Sequence, residues 1–451
     1  MSFNESLIFR QCDIFSNENS SESVDLTQGV PVIEIRESVF VPYVTITLGV
    51  VDTGNTSTDS SSGDSVSLLE SIKCQGTEKV LFKVEDHCGN VIDLTQDNAL
   101  RVATVSTAKQ DISKETFVLT LVSKEAFDNT LLKNRCKRNY TGKIFDTANT
   151  QASGDINIVQ TIIRQDLKST KSIMGDNTIN SLQQMGKNRT PFEMITSLQR
   201  LGIPDLPGAL GKMAGYLFWQ TSTGLQFKSL DKLFDTDGKV IKKFIQNNKV
   251  EPGGGNPPGF HGKILKSSFN RTTDALAQFT AGAWATTGKY FNIVNGRVTE
   301  RNVVEPATSN GVIGGTALPK KNSEYENEPT REVAAVENEG MKATQGDDIE
   351  KQVKDDTDQP QYEIQNLLEQ SLQAYRQKFN FSLSIVIDGD ITLHAGDLVH
   401  CEFEELSTKA TPVRSPTYSG IYMISDLCHY ADRSQTYTGL QLVRDSYGVK
   451  T

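Results

Sequence analysis

The chain has 451 residues, 37% of them hydrophobic, enough for several modest cores at roughly 100 to 200 residues per domain. Its formal net charge of -10 argues against a surface that grips nucleic acid, because such binding rests on Lys and Arg neutralising phosphates. No run reaches the roughly 20 apolar residues that span a bilayer, residues 1–7 lack the basic and apolar regions of a secretory leader, and six cysteines in so long a chain predict reduced thiols.

Residues 1–30 are rich in Ser, Asn, Glu and Asp and read as an N-terminal arm. The β-branched and aromatic runs at 32–40 and 43–51 predict paired strands. A Ser/Thr/Gly/Asp loop at 52–65 and a short helical turn at Leu68–Ile72 follow, then strands at 79–84, 100–106 and 116–123, giving an all-β unit over 31–145. The period then changes: Ile156, Val159, Ile163 and Leu167 are spaced for one face of a helix. Thr190-Pro191-Phe192-Glu193 supplies a capping Thr, a Pro at the first helical position and a Glu three residues after the cap. This predicts a helix over 191–201 that turns Met194, Ile195 and Leu198 inward and ends at Gly202 and Pro204. Residues 215–220 and 225–228 read as a hairpin, and together with the helix and a basic tail they make an α+β domain over 146–255.

Gly253-Gly254-Gly255 and Pro257-Pro258 break the chain. Residues 264–290 read as partly helical and lead to a hairpin at 290–300 around Asn295-Gly296. Residues 320–360 hold twelve acidic and six basic residues with the single aromatic Tyr325, and read as a flexible solvated segment. With a helix expected over 361–378, this segment fills an insertion at 301–377. Residues 379–444 then read as consecutive strands with turns at Asp388-Gly389, Ala395-Gly396-Asp397 and Ser419-Gly420, in which Phe379, Phe381, Leu383, Ile385 and Ile387 share one face.

Three places carry a family resemblance. They are Glu37-Ser38-Val39-Phe40-Val41-Pro42-Tyr43-Val44 leading to Val50-Val51-Asp52; Pro191-Phe192-Glu193 followed by Gly215-Tyr216-Leu217-Phe218-Trp219 and Phe227; and Leu393-His394-Ala395-Gly396-Asp397 with Ser419-Gly420-Ile421-Tyr422-Met423-Ile424 and Thr438-Gly439-Leu440-Gln441-Leu442-Val443-Arg444. In their order and spacing the chain resembles baseplate hub proteins of contractile-tailed bacteriophages. The resemblance implies a mixed β and α+β fold, with two tail-tube-like β-barrel domains at 31–145 and at 256–300 plus 378–451, and smaller α+β domains. It also implies a homotrimer that presents six barrels to the tail tube protein ring and a three-fold collar to a trimeric spike. Baseplate wedge proteins would surround it, and double-stranded DNA would pass through its channel without specific binding. The setting is the virion baseplate, assembled in the host bacterial cytoplasm. The arm before Val32, the 52–65 loop and the acidic stretch depart from the family pattern.

Other chemistries were weighed against this. His394, His400-Cys401, Cys428-His429 and His87-Cys88 suggest zinc, but adjacent strand residues face opposite sides and a structural zinc needs four ligands, so packed or exposed roles are expected. Asp235-Thr236-Asp237-Gly238 brings its glycine too early for a calcium loop, and Gly253-Gly254-Gly255 lacks the Lys-Ser/Thr of a phosphate loop. Asp388, Asp390 and Asp397 would suit a carbohydrate-acting enzyme on a β scaffold, yet they are also ordinary turn residues. No catalytic, cofactor or metal residue is assigned. The competing readings are a hub component of a type VI secretion or related injection device, and the carbohydrate-acting enzyme.

Overall fold

A computed structural model describes residues 7–19, 21–53, 57–58, 65–111, 114–147, 157–179, 181–205, 215–234, 240–246, 262–270, 275–280, 282, 285–292, 298–304, 322, 324–325, 328–337, 379, 381–405, 414–444 and 446. Most of these lie in strands, and one 14-stranded sheet dominates. Its main path runs Ile264–Asn270, Phe381–Asp388, Thr436–Arg444, Gly420–Asp432, Val32–Ser38, Thr45–Asp52, Lys114–Ser123, Leu100–Asp111, Lys79–Glu85, Ile8–Phe15, Ser23–Asp25. Val91–Leu94 pairs beside Lys79–Glu85, while Leu398–Glu402 branches from Gly420–Asp432 and takes Val240–Ile245 as a parallel neighbour.

Alternation builds these strands. Ile33, Ile35 and Glu37 point inward from Val32–Ser38, as do Ile46, Leu48 and Val50 from Thr45–Asp52, and they close a core with Phe82, Phe117 and Leu119. The closing unit has its own core of Leu383, Ile385, Ile387, Tyr422, Ile424, Leu440 and Leu442. Leu383, Ile385 and Ile387 therefore share a face as expected. Phe379 instead packs against Phe40, tilted at 56°, and edge-on against Phe234, with ring centroids 5.2 and 6.1 Å apart.

The two units share a seam in which Val32–Ser38 pairs antiparallel with Gly420–Asp432, in register from Ser38 opposite Asp426 to Val32 opposite Asp432. In the closing unit the run of strands comes back towards its start, where Ile245 bridges to Lys263 beside Ile264–Asn270. In the first unit the Val51 amide donates to the Gly29 carbonyl, which extends the ladder between Val32–Ser38 and Thr45–Asp52.

Between the units, Pro191–Gln199 forms with the capping box predicted for it, burying Met194, Ile195 and Leu198 completely. Ile158–Thr161 is α-helical, and Ile162–Asp166 widens into a π turn in which the Leu167 amide donates to the Ile162 carbonyl at 2.8 Å. Val159, Ile163 and Leu167 still face the core, whereas Ile156 lies outside the described residues. The hairpin Tyr216–Thr221 and Gly224–Ser229 gains Ile173–Gly175 as a third, parallel strand.

Several expectations are corrected. Residues 1–30 are not simply an arm: Ile8–Phe15 and Ser23–Asp25 join the large sheet and bury Leu7, Cys12, Ile14, Leu26 and Val30. The polar residues alternating with them face outward and mask a strand in the composition. Within residues 264–290, Ile264–Asn270 is a strand, and only Ala275–Thr280 is helical among the described residues. Ala285–Asn292 and Val298–Val304 do pair as a hairpin, but they form a separate three-stranded sheet with Arg331–Glu337 and do not join the second β unit. Arg331–Glu337, inside the acidic segment, forms a strand whose Val333-Ala334-Ala335-Val336 run pairs in spite of acidic surroundings. Val240–Ile245, read as a basic tail of the α+β domain, is a strand of the large sheet. Ser57–Thr58 and Ser65–Val66 pair within the 52–65 loop region. Asn295-Gly296, the 235–238 and 253–258 stretches, the 361–378 helix and most of 320–360 lie outside the described residues.

Candidate functional site: the junction at Glu37

Glu37 follows Ile33 and Ile35 on the inward face of its strand, where alternation calls for an apolar side chain, and only 3% of it is exposed. Its carboxylate accepts from the backbone of two other parts of the fold. Oε1 takes the Ser222 amide at 2.7 Å, at the tip of the 216–229 hairpin, and Oε2 takes the Ala395 amide at 3.2 Å. Oε2 also stands 3.3 Å from His394 Nδ1. The side chain thus ties the first β unit to the α+β hairpin and to the closing unit.

The segment 390–397 is held from several sides. Trp219, fully buried, donates its indole N–H to the Ala395 carbonyl at 3.0 Å. The Gly396 amide donates to the Ile424 carbonyl, and the Ile424 amide donates back to the Asp397 carbonyl. Gly396 has φ +95°, and a Cβ there would stand 2.6 Å from the Trp219 ring, so only glycine fits. The Asp390 amide donates to Thr438 Oγ1 at 2.9 Å, and that hydroxyl lies 3.0 Å from His429 Nδ1. The Asp390 carboxylate pairs with Lys242, whose Nζ also donates to Thr392 Oγ1 at 2.6 Å. An apolar cluster of Val39, Leu217, Trp219, Leu230, Leu233, Phe234, Ala395, Leu398 and Met423 seals the junction.

Electrostatics follow from this geometry. Burial pushes the Glu37 carboxyl upward, but the hydrogen bond and charge of His394 and the Ser222 amide outweigh it, and the group titrates below the ordinary carboxylate range. Burial draws His394 down, yet Glu37, with Asp397 and Asp390 behind it, holds the imidazole above its usual value. His429, enclosed between Thr438 and the Leu393 backbone, is driven down to about 4 by burial, more than the charge of Glu37 offsets. Burial raises Asp397, whose Oδ2 accepts from the His394 amide at 2.8 Å. The arrangement is a carboxylate fixed by two backbone amides beside two imidazoles of opposite tendency, His394 held above its usual value and His429 driven below it, at a meeting of three parts of the chain. It is suited to holding those parts together.

Of the histidines weighed for zinc, the structure sets only His394 and His429 near Glu37. His400 contacts Arg414 at 2.9 Å, Cys401 is buried, and His87 and Cys88 are exposed. Among the described residues no group of three or more His, Cys, Asp or Glu is placed to hold a metal ion. Of the turn aspartates, Asp390 is in the buried ion pair, Asp397 caps its own turn, and Asp388 ends its strand opposite Tyr437. Sequence reading missed the role of Glu37, although an acidic residue at a core parity between Ile35 and Val39 was the available signal. It quoted Trp219 as a hairpin residue without its partner, because the 176 positions separating Trp219 from Ala395 hide the contact.

No protein-family model matches the chain, and no curated protein does. Solved structures do. The tail protein from Neisseria meningitidis MC58 is 10% identical with TM-score 0.48 over 96% of each chain. The 43 kDa tail protein of prophage MuSo2 from Shewanella oneidensis is 10% identical with TM-score 0.47 over 97% of this chain and 98% of that one. An E. coli type VI secretion component, described as structurally similar to T4 bacteriophage tail proteins, is 8% identical with TM-score 0.39 over 99% and 79%. Two of these neighbours are tail proteins and the third is a type VI secretion component.

Proposed function

We propose that this chain is a structural component of a contractile injection machine, and specifically the central baseplate hub of a contractile phage tail. The observation that carries the reading is the seam between Val32–Ser38 and Gly420–Asp432, which fuses two β units edge to edge within one chain. The bridge at Ile245–Lys263 supports the second unit, from Ile264–Asn270 with 378–451, as a tail-tube-like barrel, and the first unit over 31–145 is read as its counterpart from the family resemblance. Three such chains present six similar units to a six-fold tube and three collars to a trimeric spike. A six-fold ring offers no identical contacts to a three-fold partner without an adapter of this kind. In this reading the homotrimer meets the tail tube ring on one side and the spike on the other, with wedge proteins around it. Double-stranded DNA passes along its axis without specific binding. It is assembled in the host bacterial cytoplasm and resides in the virion baseplate. The role is structural and not enzymatic: Lys242 on Asp390 and the His394 amide on Asp397 favour turn roles over carbohydrate chemistry.

Light scattering of the purified protein is expected to give about three times the 49.7 kDa chain mass. A stable monomer in the presence of tube and spike partners would sink the reading.

A further inference from the structure

We propose that segment 390–397 is an acid-released strap: protonation of Glu37 and His429 unseats it from the hairpin carrying Trp219 and from the first β unit. This does not rest on the hub reading. Ionised Glu37 is acceptor-only and meets three donors, the amides of Ser222 and Ala395 and the imidazole of His394. A protonated carboxyl has one oxygen turned donor, so it cannot serve all three, and it no longer attracts the imidazolium. With its proton on Nε2 towards the Leu393 backbone, neutral His429 accepts at Nδ1 from the Thr438 hydroxyl, whose oxygen in turn takes the Asp390 amide. Protonated His429 donates there instead, Thr438 must turn, and a second cation stands behind His394.

The charged and titratable groups facing this point are Glu37 from the first unit, Lys228 from the hairpin, and His394, Asp390 and Asp397 within the strap. His429 faces it from the strand behind, and Lys242, with the Cys88 thiol nearby, faces Asp390. Both imidazoles become or stay cationic in acid, while the carboxylates that balance them are lost. The two histidines act oppositely before that point. Charged His394 keeps Glu37 ionised and the strap seated, whereas charging His429 unseats it.

The chain has two tryptophans, Trp219 and Trp284, so a Trp284→Phe background makes Trp219 the reporter. In the full-length protein, Trp219 emission is expected to shift to the red on acidification before far-UV circular dichroism is lost. Glu37→Gln should abolish the transition by giving the shifted emission already at neutral pH. His394→Gln should raise the midpoint by about 1 pH unit, since Glu37 loses its cation, and His429→Gln should lower it. The opposite signs of the two histidine variants separate a strap from simple destabilisation, and they keep the test intact if Glu37→Gln does not fold. Emission that stays constant until the far-UV signal collapses, or midpoints that move the same way in both histidine variants, would overturn the proposal.

Discussion

Glu37 is a charge at a core position, and what makes it tolerable is that its donors are two fixed backbone amides and a half-buried imidazole. The same crowding makes two neighbours sensitive. Gly396→Ala is expected to cost about 1–3 kcal/mol, because the new methyl meets the Trp219 ring and φ is positive; a lower urea midpoint with unchanged slope would record it. His429 titrates near 4 when folded against 6.5 in its ordinary state. The unfolded chain therefore takes up its proton first as pH falls. The contribution of neutral His429 is complete above 6.5 and is lost down to about 4, a difference of about 3 kcal/mol. Stability measured by urea should fall over that window, and less steeply in His429→Gln. His394 runs the other way: its raised value contributes below the ordinary imidazole range and fades as pH rises through the folded value.

At the scale of elements, local signals and distant pairings divide the work. Pro191–Gln199 is capped by Thr190, whose Oγ1 accepts the Glu193 amide at 3.4 Å, while Glu193 Oε2 takes the Thr190 amide at 3.0 Å. Thr190→Ala is expected to lower stability by about 1 kcal/mol, read from the same urea titration. Val240–Ile245 has no such local signature. It is placed by a parallel ladder and by the buried Lys242–Asp390 pair, in which Lys242 is 6% and Asp390 0% exposed. Lys242→Met leaves Asp390 charged and unpaired and should cost about 3–5 kcal/mol, whereas adding Asp390→Asn should recover part of that loss. Equal losses in the single and double variants would show that the pair does not set the cost.

For the molecule as a whole, the arrangement turns on the seam that joins two β units through Val32–Ser38 and Gly420–Asp432. If the units are related as the proposed ring requires, their strands should superpose in a crystal structure of the trimer despite dissimilar sequences, and a failure to superpose would remove the six-unit ring. An acidic chain with net charge -10 is also expected to let duplex DNA pass. Filter binding by the purified oligomer should therefore be weak and insensitive to sequence, and tight salt-sensitive binding would contradict the channel.

The sequence by itself determined what depends on near neighbours. The alternation at 32–38, 45–52 and 383–387, the Thr190–Glu193 capping box and the 216–229 hairpin all rest on interactions within a few residues, so their patterns are written locally. Tertiary structure alone decided the rest. The strand at Ile8–Phe15 owes its place to Lys79–Glu85, Arg331–Glu337 to Ala285–Asn292, and Val240–Ile245 to Leu398–Glu402, each a partner remote in sequence. Glu37 was legible as an acidic residue out of phase in a core strand, but its meaning was not. A carboxylate is acceptable in a core only where donors converge on it, and those donors arrive from Ser222 and Ala395, 185 and 358 positions away.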